Sequence, residues 1–133
     1  MQTNTPLHHE LTWFSERWNV YKNLICNNYL YHYDIHSCLH KILAGHFSPT
    51  PFSLLDLGCG DASFIANTLK GTTVSRYYGI DLSEVALKEA ARNLDESAFE
   101  STLLCGNVAE SISQLPGDFN AIVCGYSLHH LNP

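Results

Sequence analysis

An apolar run that ends in two closely spaced glycines constrains this chain more than any other feature. The run is FSLLDL at residues 52–57, and Gly58 and Gly60 follow it with one residue between them. Glycine adopts positive φ without steric cost and lets another group approach the backbone closely. After the glycines the pattern becomes helical, in DASFIANTLKG. The stretch therefore predicts a buried strand, a tight turn and a helix that closes at Gly71.

Short apolar runs and helical patterns alternate through the rest of the chain. Further strands are predicted at VSRYYGID, at STLLCG and in DFNAIVCGYSL, which includes an exit loop. Helices are predicted at SEVALKEAARNLD and at VAESISQL. Apolar strands that alternate with helices indicate βαβ units and a parallel sheet covered on both faces. We therefore predict an α/β fold.

The N-terminal part has a helical pattern and ends in a connector at residues 44–53 that is rich in Gly, Ser and Pro. One helical face is predicted from steps of three and four between Leu11, Phe14, Trp18, Tyr21, Ile25 and Tyr29. A second apolar group consists of Ile35, Leu39, Ile42 and Leu43. Asp34 could cap that second helix and Gly45 could end it, with Asn27 and Asn28 as an irregularity between the two groups. We predict a helical extension or lid at 1–47 and an α/β domain at 48–133.

Composition narrows the class of partner and the compartment. The chain has 133 residues, a formal net charge of −6 and no cluster of Lys or Arg, which disfavours a nucleic-acid groove or an anionic membrane surface. Its five cysteines form no Cys-x-x-Cys pair, so a zinc ribbon and a thioredoxin-type site are disfavoured. The N-terminus is polar, and no apolar run approaches the ~20 residues of a membrane span. These features predict a reduced, cytoplasmic protein.

Two cofactor families use a glycine turn of this kind. The dinucleotide fingerprint requires G-x-G-x-x-G, and Ser63 stands where its third glycine belongs. The other frame is Asp56-x-Gly58-x-Gly60-x-Ala62. It resembles motif I of the class I S-adenosylmethionine (SAM) dependent methyltransferases, D/E-x-G-x-G-x-G, with Ala62 in place of the last glycine.

This resemblance implies a site for the methionine part of SAM, formed by Asp56, Gly58, Cys59 and Gly60. SAM carries an α-ammonium group and no phosphate, so an acceptor such as Asp56 suits it better than a phosphate-binding turn does.

A second segment, GIDLSEVALKEA, is similar to the methyltransferase pattern G-x-D-x-S-x-x-x-L-x-x-A. Asp81 ends the second predicted strand, and an acid in that place accepts hydrogen bonds from ribose hydroxyls. The resemblance places Asp81 and the adjacent Leu82 at the ribose. Alternatively Asp81 caps the next helix in a capping box with Glu84. Ser83 can do that capping instead, and we favour ribose binding.

A third segment, LLCGNVAES, is similar to motif III of the same family. The resemblance assigns Asn107 to the adenine amino group and Val108 to the adenine ring, although Asp is commoner than Asn at that position. Asn107 as a helix N-cap is an equally good interpretation.

The segment DFNAIVCGYSLHHLNP resembles the fourth-strand motif of the family, in which FD and an apolar strand precede LHH. Residues after this strand border the methyl-transfer site in the family, so Tyr126, Ser127, His129 and His130 are the candidates there. His129 or His130 could act as a general base, because imidazole titrates near neutral pH. The LHH sequence occurs there whatever the substrate, so a structural role is the preferred interpretation.

The resemblance covers Phe52 to Pro133. It implies a Rossmann-like three-layer sandwich with strand order 3-2-1-4, the C-terminal strands of a class I domain being missing, and with a helical segment before it. The implied activity is methyl transfer from SAM, giving S-adenosylhomocysteine, to an acceptor that we expect to be a small molecule. The fourth strand would be an exposed apolar edge, so either the chain is a fragment or the edge is covered by a partner or by the N-terminal helices. If the chain is stable alone, we predict a symmetric homodimer through this edge. The alternatives are a truncated domain that acts as a non-catalytic binding module and, less well supported, a nicotinamide-binding domain.

Two further groups of residues suggest other functions. His32, His36 and His40 recur every four residues and could bind zinc, but no carboxylate or cysteine completes the set, so we predict no metal and a polar helix face packed partly on the domain. A lid over the sulfonium, held by cation–π attraction, could be formed by Trp13, Trp18, Tyr21 and Tyr29. A packing face is the simpler interpretation of their helical spacing.

Overall fold

The computed structural model describes residue 17, residues 19–20 and 22–125, and residue 127. Residues 17, 19–20 and 22–26 are helical. The elements that follow are α1 (His32–Phe47), β1 (Phe52–Leu57), α2 (Ser63–Leu69), β2 (Val74–Asp81), α3 (Glu84–Leu94), β3 (Glu100–Cys105), α4 (Val108–Ser111), a 3-10 turn (Ile112–Gln114) and β4 (Ala121–Val123).

The strands form one parallel sheet in the order β3-β2-β1-β4. This confirms the predicted α/β class and the order 3-2-1-4. Leu57 pairs with Ile80, and Asp81 pairs with Cys105, so the carboxyl ends of neighbouring strands lie side by side. Loops that leave these ends therefore meet along one edge of the sheet, where open α/β sheets bind their ligands.

One face of the sheet packs under α1, α2 and α3. Its core contains one large buried side chain from each element, Leu43, Leu54, Leu69, Tyr77 and Leu94, none more than 4% exposed. Burying a side chain of this size contributes roughly 1.5–3 kcal/mol. All six residues of β1 are buried, as expected for a central strand with layers on both sides.

The opposite face has a thinner cover. Leu55, Leu57 and Ile80 are buried there against partly buried residues that include Val108 of α4. Ile122 of β4 is paired with Leu55 and so lies on the same face, where it is 61% exposed. The third layer therefore covers β1 and β2 but leaves β4 accessible.

The predicted irregularity between the two N-terminal helical groups is present. Residues 27–30 form a turn, and Asn28 and Tyr31 have positive φ values of 54° and 57°. The predicted cap was wrong, because Tyr31 occupies the N-cap position, and Asp34 lies in the first turn of α1 and accepts a hydrogen bond from Asn28 Nδ2. That bond ties Asp34 to the preceding turn instead of to the helix N-terminus.

The helix end predicted at Gly45 was also wrong, since α1 continues to Phe47. Phe47 stacks on Phe52 with ring centroids 4.2 Å apart, and this packing extends the helix past a glycine that costs only about 1 kcal/mol. Leu39, Leu43 and Phe47 all pack into the main core, so α1 packs against the α/β sheet. The boundary at residue 47 and a lid role for residues 1–47 stay predictions.

None of the helices in the described part of the chain is both long and apolar enough to cross a membrane.

Candidate functional site

Backbone hydrogen bonds join the loops at the carboxyl edge of the sheet. The N–H groups of Gly58 and Cys59 both donate to the carbonyl of Ile80, over 2.8 and 3.0 Å. Gly106, in the loop after β3, donates from its N–H to the carbonyl of Asp81 over 3.0 Å. The loops after β1, β2 and β3 therefore form one connected surface, which contains the sequence-predicted residues from Gly58 to Val108.

The turn after β1 has three residues in the left-handed region. The φ values are 73° at Gly58, 56° at Gly60 and 54° at Ala62. Ala62 thus takes the conformation that glycine adopts without steric cost, for which a residue with a Cβ pays about 1–2 kcal/mol. Its N–H donates to the carbonyl of Cys59 over 3.1 Å, and its methyl group is buried. The replacement of the motif's last glycine leaves the shape of the turn intact.

Gly58 is required by a close contact with Ser127. A Cβ built on Gly58 would lie 2.5 Å from Ser127 Cβ and 2.6 Å from its Oγ. The Ser127 hydroxyl donates to the carbonyl of Leu57 over 2.8 Å, so the exit loop of β4 is fastened to the turn. The sequence suggested that a ligand approaches this glycine, whereas in the structure a serine about 70 residues later occupies that space.

Asp81 links the β1 turn to the start of α3. Its Oδ2 accepts a hydrogen bond from Gly60 N over 2.8 Å, and its Oδ1 accepts one from Ser83 N over 2.9 Å. Ser83 is the N-cap of α3, where its hydroxyl accepts from Ala86 N over 3.2 Å. The predicted capping by Ser83 is confirmed, and the ribose role of Asp81 stays a prediction. A carboxylate has about four lone-pair positions, so these two donors do not exhaust its capacity.

Asp56 lies on the helix-covered face of β1, just before the glycine turn, and is only 6% exposed. Tyr77 donates from its hydroxyl to Asp56 Oδ2 over 2.9 Å. The pKa of Asp56 is raised to about 7, chiefly by burial; the bond from Tyr77 opposes this shift, and the charge of Asp81 adds to it. A carboxyl with this pKa can be neutral or ionised near physiological pH, so a cation beside it would favour the ionised form.

Cys59, between the two glycines, is half-buried. Burial, together with the nearby charges of Asp56 and Asp81, raises the pKa of its thiol. A thiol that stays protonated is a poor nucleophile, so Cys59 serves for shape rather than reactivity. Gly79 provides the space, because a Cβ there would lie 2.9 Å from Cys59 Sγ and 3.1 Å from a ring carbon of Tyr77. Sequence reasoning missed Tyr77, and it included Gly79 only as the first residue of the G-x-D-x-S pattern, without this role.

The loop after β3 starts α4 with a side-chain cap. Asn107 Oδ1 accepts a hydrogen bond from Ala109 N over 2.8 Å, which is the N-cap interaction that the sequence left as an alternative. Val108 packs against the buried cluster of Leu55, Leu57 and Ile80. Leu82 is the first residue after β2, and its carbonyl contacts Sγ of Cys105, the last residue of β3, at 3.7 Å.

This arrangement of turn, acid and amide can be compared with known proteins. Residues 54–133 match the model of a family described as a methyltransferase domain. The chain belongs to this methyltransferase family. The match begins in β1 and covers every strand of the sheet, so it includes the whole carboxyl edge.

Three relatives illustrate how this methyltransferase domain compares. A ubiquinone biosynthesis O-methyltransferase of Chromobacterium violaceum is 32% identical over 87 residues, which are 65% of the chain and 36% of that protein. The structure of precorrin 8w decarboxylase from Methanobacterium thermoautotrophicum matches with a TM-score of 0.55 and 28% identity, over 71% of the chain and 48% of that protein. A SAM-dependent methyltransferase of Geobacter sulfurreducens, solved in complex with S-adenosylhomocysteine, has a TM-score of 0.50 and 20% identity, over 67% of the chain and 36% of that protein. The chain thus spans between a third and a half of their lengths.

Several other sequence-predicted residues are not among those that the structure describes. Tyr126, His129 and His130 lie outside the described residues. So do three of the aromatic residues considered for a lid or a packing face, Trp13, Trp18 and Tyr21. The fourth, Tyr29, lies in the turn before α1 and is 66% exposed, so its assignment to a helical packing face was wrong. The turn at Asn28 rotates Tyr29 away from the face that periodicity gave it.

Three histidines of α1, His32, His36 and His40, face α2, as the packed-face interpretation predicted. His36 Nδ1 lies 2.8 Å from Thr68 Oγ1, and His40 Nδ1 lies 2.7 Å from the carbonyl oxygen of Thr68. The rings of His32 and His36 both contact Phe64, with centroids 5.1 and 5.2 Å apart. Within the described ranges, no group of three or more His, Cys, Asp or Glu has the arrangement of a metal site.

Proposed function

We propose that this domain binds SAM at the carboxyl edge of its sheet and transfers the methyl group to a small-molecule acceptor. The observation that carries the proposal is the bond of Gly60 N to Asp81 Oδ2, because it joins the motif I turn to the acid at the end of β2. The family match and the S-adenosylhomocysteine complex of the Geobacter protein support the choice of cofactor.

In this proposal each loop of the edge holds one part of the cofactor. Asp56 and the turn of Gly58, Cys59 and Gly60 hold the methionine part. The buried Asp56 supports this role, since an ammonium group nearby would favour its ionised form.

The other two loops hold the nucleoside. Asp81 accepts from the ribose hydroxyls, and Leu82 lies beside the sugar. Asn107 pairs with the adenine amino group and Val108 packs on the ring. The capping bond of Asn107 supports this assignment, because it holds the side chain at the end of β3.

The methyl donor supplies an activated sulfonium carbon, so the chain has to bind, orient and exclude water. The lone pair of the acceptor forms the new bond to the methyl carbon while the carbon–sulfur bond breaks, and the sulfur keeps that electron pair. The acceptor loses a proton to a base or to solvent. Positioning of this kind supplies much of the rate in such displacements.

An oxygen nucleophile on a small molecule is the acceptor we propose. The Chromobacterium relative is named as an O-methyltransferase, and its similarity covers 65% of the chain. The net charge of −6 adds to this, because a nucleic-acid acceptor would meet an unfavourable field.

The test is transfer of radiolabelled methyl from SAM to a panel of small phenols and amines, with a structured RNA as comparison. We expect label in a phenol, and a loss of at least about tenfold in kcat/KM for Asp81→Asn. Label found only in RNA would overturn the acceptor class. A folded chain that binds the cofactor and labels nothing would favour a non-catalytic binding module.

A further inference from the structure

An open groove lies between α1 and α2, and its lining includes Ser63 and Phe64, the residues of α2 that directly follow the glycine turn. It is bounded by the end of the N-terminal helical residues, by α1 and by α2, and its volume is about 550 Å³. Small-molecule sites have volumes of about 300–1,000 Å³. The ion pair of Lys22 Nζ with Glu89 Oε2, at 2.8 Å, holds the N-terminal helical residues across this side of the domain.

Aromatic rings form one wall of the groove. Tyr33 meets the Phe64 ring edge-on with centroids 5.1 Å apart, and the His36 ring stacks on it at 5.2 Å with an interplanar angle of 26°. All three residues line the groove. Aromatic walls favour a planar aromatic ligand, because offset and edge-to-face ring contacts stabilise it beyond the area that it buries.

Hydrogen bonds to Thr68 determine which nitrogen of each imidazole carries the proton. The Thr68 hydroxyl donates its one proton to the carbonyl of Phe64 over 2.9 Å, so at His36 the Nδ1–H must donate to Thr68 Oγ1. At His40 the partner of Nδ1 is the carbonyl oxygen of Thr68, which can only accept. In the neutral form of each ring, the lone pair is therefore on Nε2.

The two Nε2 atoms give the groove its chemical preference. His36 and His40 are four residues apart on α1, so they lie on one face of the helix, and both line the groove. Burial lowers the pKa of His36, and the neighbouring His32 lowers it further, which favours the neutral ring. Two acceptor nitrogens beside an aromatic wall suit a ligand that brings a hydrogen-bond donor on an aromatic ring.

We propose that this groove binds a hydroxylated aromatic ring, which packs against Phe64 and donates its hydroxyl to Nε2 of His36 or His40. The proposal is argued from residues of α1 and α2, none of which the proposed function assigns to the cofactor. Two sources share this chemistry, the methyl acceptor itself and a ligand that is not methylated.

The first test compares 2-naphthol with 2-methoxynaphthalene, which has the same rings and no hydroxyl donor. Binding to the 133-residue chain is measured by saturation-transfer NMR and calorimetry. We expect saturable binding of 2-naphthol that is at least about fivefold tighter than that of the ether. Equal affinities, or no binding of either compound by a folded chain, would overturn the proposal.

The second test locates the site. The double variant His36→Phe/His40→Phe keeps a ring at each position and removes both acceptors, and we expect its 2-naphthol affinity to fall about tenfold. His46→Phe makes the same change on the exposed last turn of α1 and is expected to leave the affinity unchanged. Thermal unfolding shows whether each variant folds. If the double variant does not fold, Tyr33→Leu takes its place, because it alters the aromatic wall and leaves the bonds to Thr68 intact. Unchanged affinity in folded variants would contradict the assignment.

The third test separates the two sources. Incubation with SAM and 2-naphthol gives 2-methoxynaphthalene if the groove presents the acceptor, and gives no ether if the ligand is bound without reaction. A parallel titration with S-adenosylhomocysteine reports on the carboxyl edge alone. Loss of groove binding with that titration intact would overturn this inference and leave the proposed function standing.

Discussion

Gly60, in the turn after β1, and Asp81, the last residue of β2, are joined by a 2.8 Å hydrogen bond from the backbone N–H of Gly60 to Asp81 Oδ2. The other carboxylate oxygen accepts from Ser83 N over 2.9 Å. One side chain therefore fixes the motif I turn against the start of α3. A change at Asp81 acts on the shape of the turn and on the proposed ribose contact together.

Asp81→Asn removes one of two acceptor oxygens and the negative charge. We expect the affinity for S-adenosylhomocysteine to fall at least about tenfold, and the free energy of unfolding to fall by about 1 kcal/mol because one partly buried donor loses its partner. Calorimetric titration and urea unfolding measure the two effects. Ser83→Ala is the control, since it removes the cap of α3 at a cost of about 1 kcal/mol and leaves the affinity unchanged. An Asp81→Asn protein that binds as tightly as the parent would contradict the ribose assignment.

Gly58→Ala tests the contact between the turn and the β4 exit loop. The alanine would pay for a φ of 73° and for a Cβ 2.5 Å from Ser127 Cβ, so we expect a loss of about 3 kcal/mol or more in urea unfolding.

A double variant separates the two costs of Gly58→Ala. Adding Ser127→Gly removes the clash and leaves the φ penalty, so the double variant should be more stable than Gly58→Ala alone. Gly45→Ala is the matched control, because nothing lies within 4 Å of a Cβ there and a helical glycine replaced by alanine gains about 0.5–1 kcal/mol. Additive effects of the two changes would show that Ser127 does not occupy that space.

Asp56→Asn is expected to change how stability depends on pH. The ordinary pKa of 3.8 is raised to about 7 in the folded protein, so between these values the folded state keeps a proton that the unfolded state has released. Stability therefore falls as pH rises from about 4 to about 7, at about 1.4 kcal/mol for each unit of pKa shift. The asparagine still accepts the hydrogen bond from Tyr77, and it has no buried charge to form as the pH rises.

We therefore expect Asp56→Asn to flatten this pH dependence and to be more stable than the parent at pH 8. Urea unfolding between pH 4 and pH 8 measures the effect. Asp95→Asn, an exposed acid at the end of α3, should keep the slope of the parent. If stability falls with pH equally in Asp56→Asn and in the parent, Asp56 ionises with its ordinary pKa.

Asn107 tests whether a helix cap also binds the adenine. Asn107→Asp keeps an oxygen for Ala109 N and should bind S-adenosylhomocysteine at least as tightly as the parent. Asn107→Ala loses the cap, about 1 kcal/mol, and we expect its affinity to fall about fivefold. If the alanine variant is less stable and binds normally, Asn107 is a cap and nothing more.

Ile122 tests the predicted homodimer. β4 pairs with β1 on one side, and Ile122 is 61% exposed, so a second copy that pairs along β4 would cover it. We expect light scattering to give a dimer for the parent and a monomer for Ile122→Lys. Ile42→Lys changes an isoleucine of α1 that is 58% exposed and should leave the dimer intact. A parent that is monomeric at high concentration would contradict this interface.

The sequence predicted the central strands well. FSLLDL and VSRYYGID are β1 and β2 to the residue, because an apolar run that ends at a glycine or an acid marks both bounds. The fourth strand was predicted in DFNAIVCGYSL, but β4 covers only Ala121–Val123. The length of β4 is set by its pairing with β1, which involves only residues Leu54–Asp56. An apolar pattern in the sequence does not indicate where pairing with a neighbouring strand ends.

The site was predicted in part for a similar reason. Local signals were sufficient for Asp81 and Ser83, which are two residues apart and share one turn. The contacts of Asp56 with Tyr77 and of Gly58 with Ser127 join residues about 20 and about 70 positions apart. They depend on strand register and on the path of the β4 exit loop, which periodicity does not report.

Calorimetric titration of the 133-residue chain with S-adenosylhomocysteine, and separately with NADH, tests the central claim most directly. We expect a single site with a dissociation constant on the order of micromolar for S-adenosylhomocysteine, and no heat of binding with NADH. A chain that unfolds cooperatively and yet binds no S-adenosylhomocysteine, or that binds NADH equally well, would contradict the assignment of the carboxyl edge to SAM.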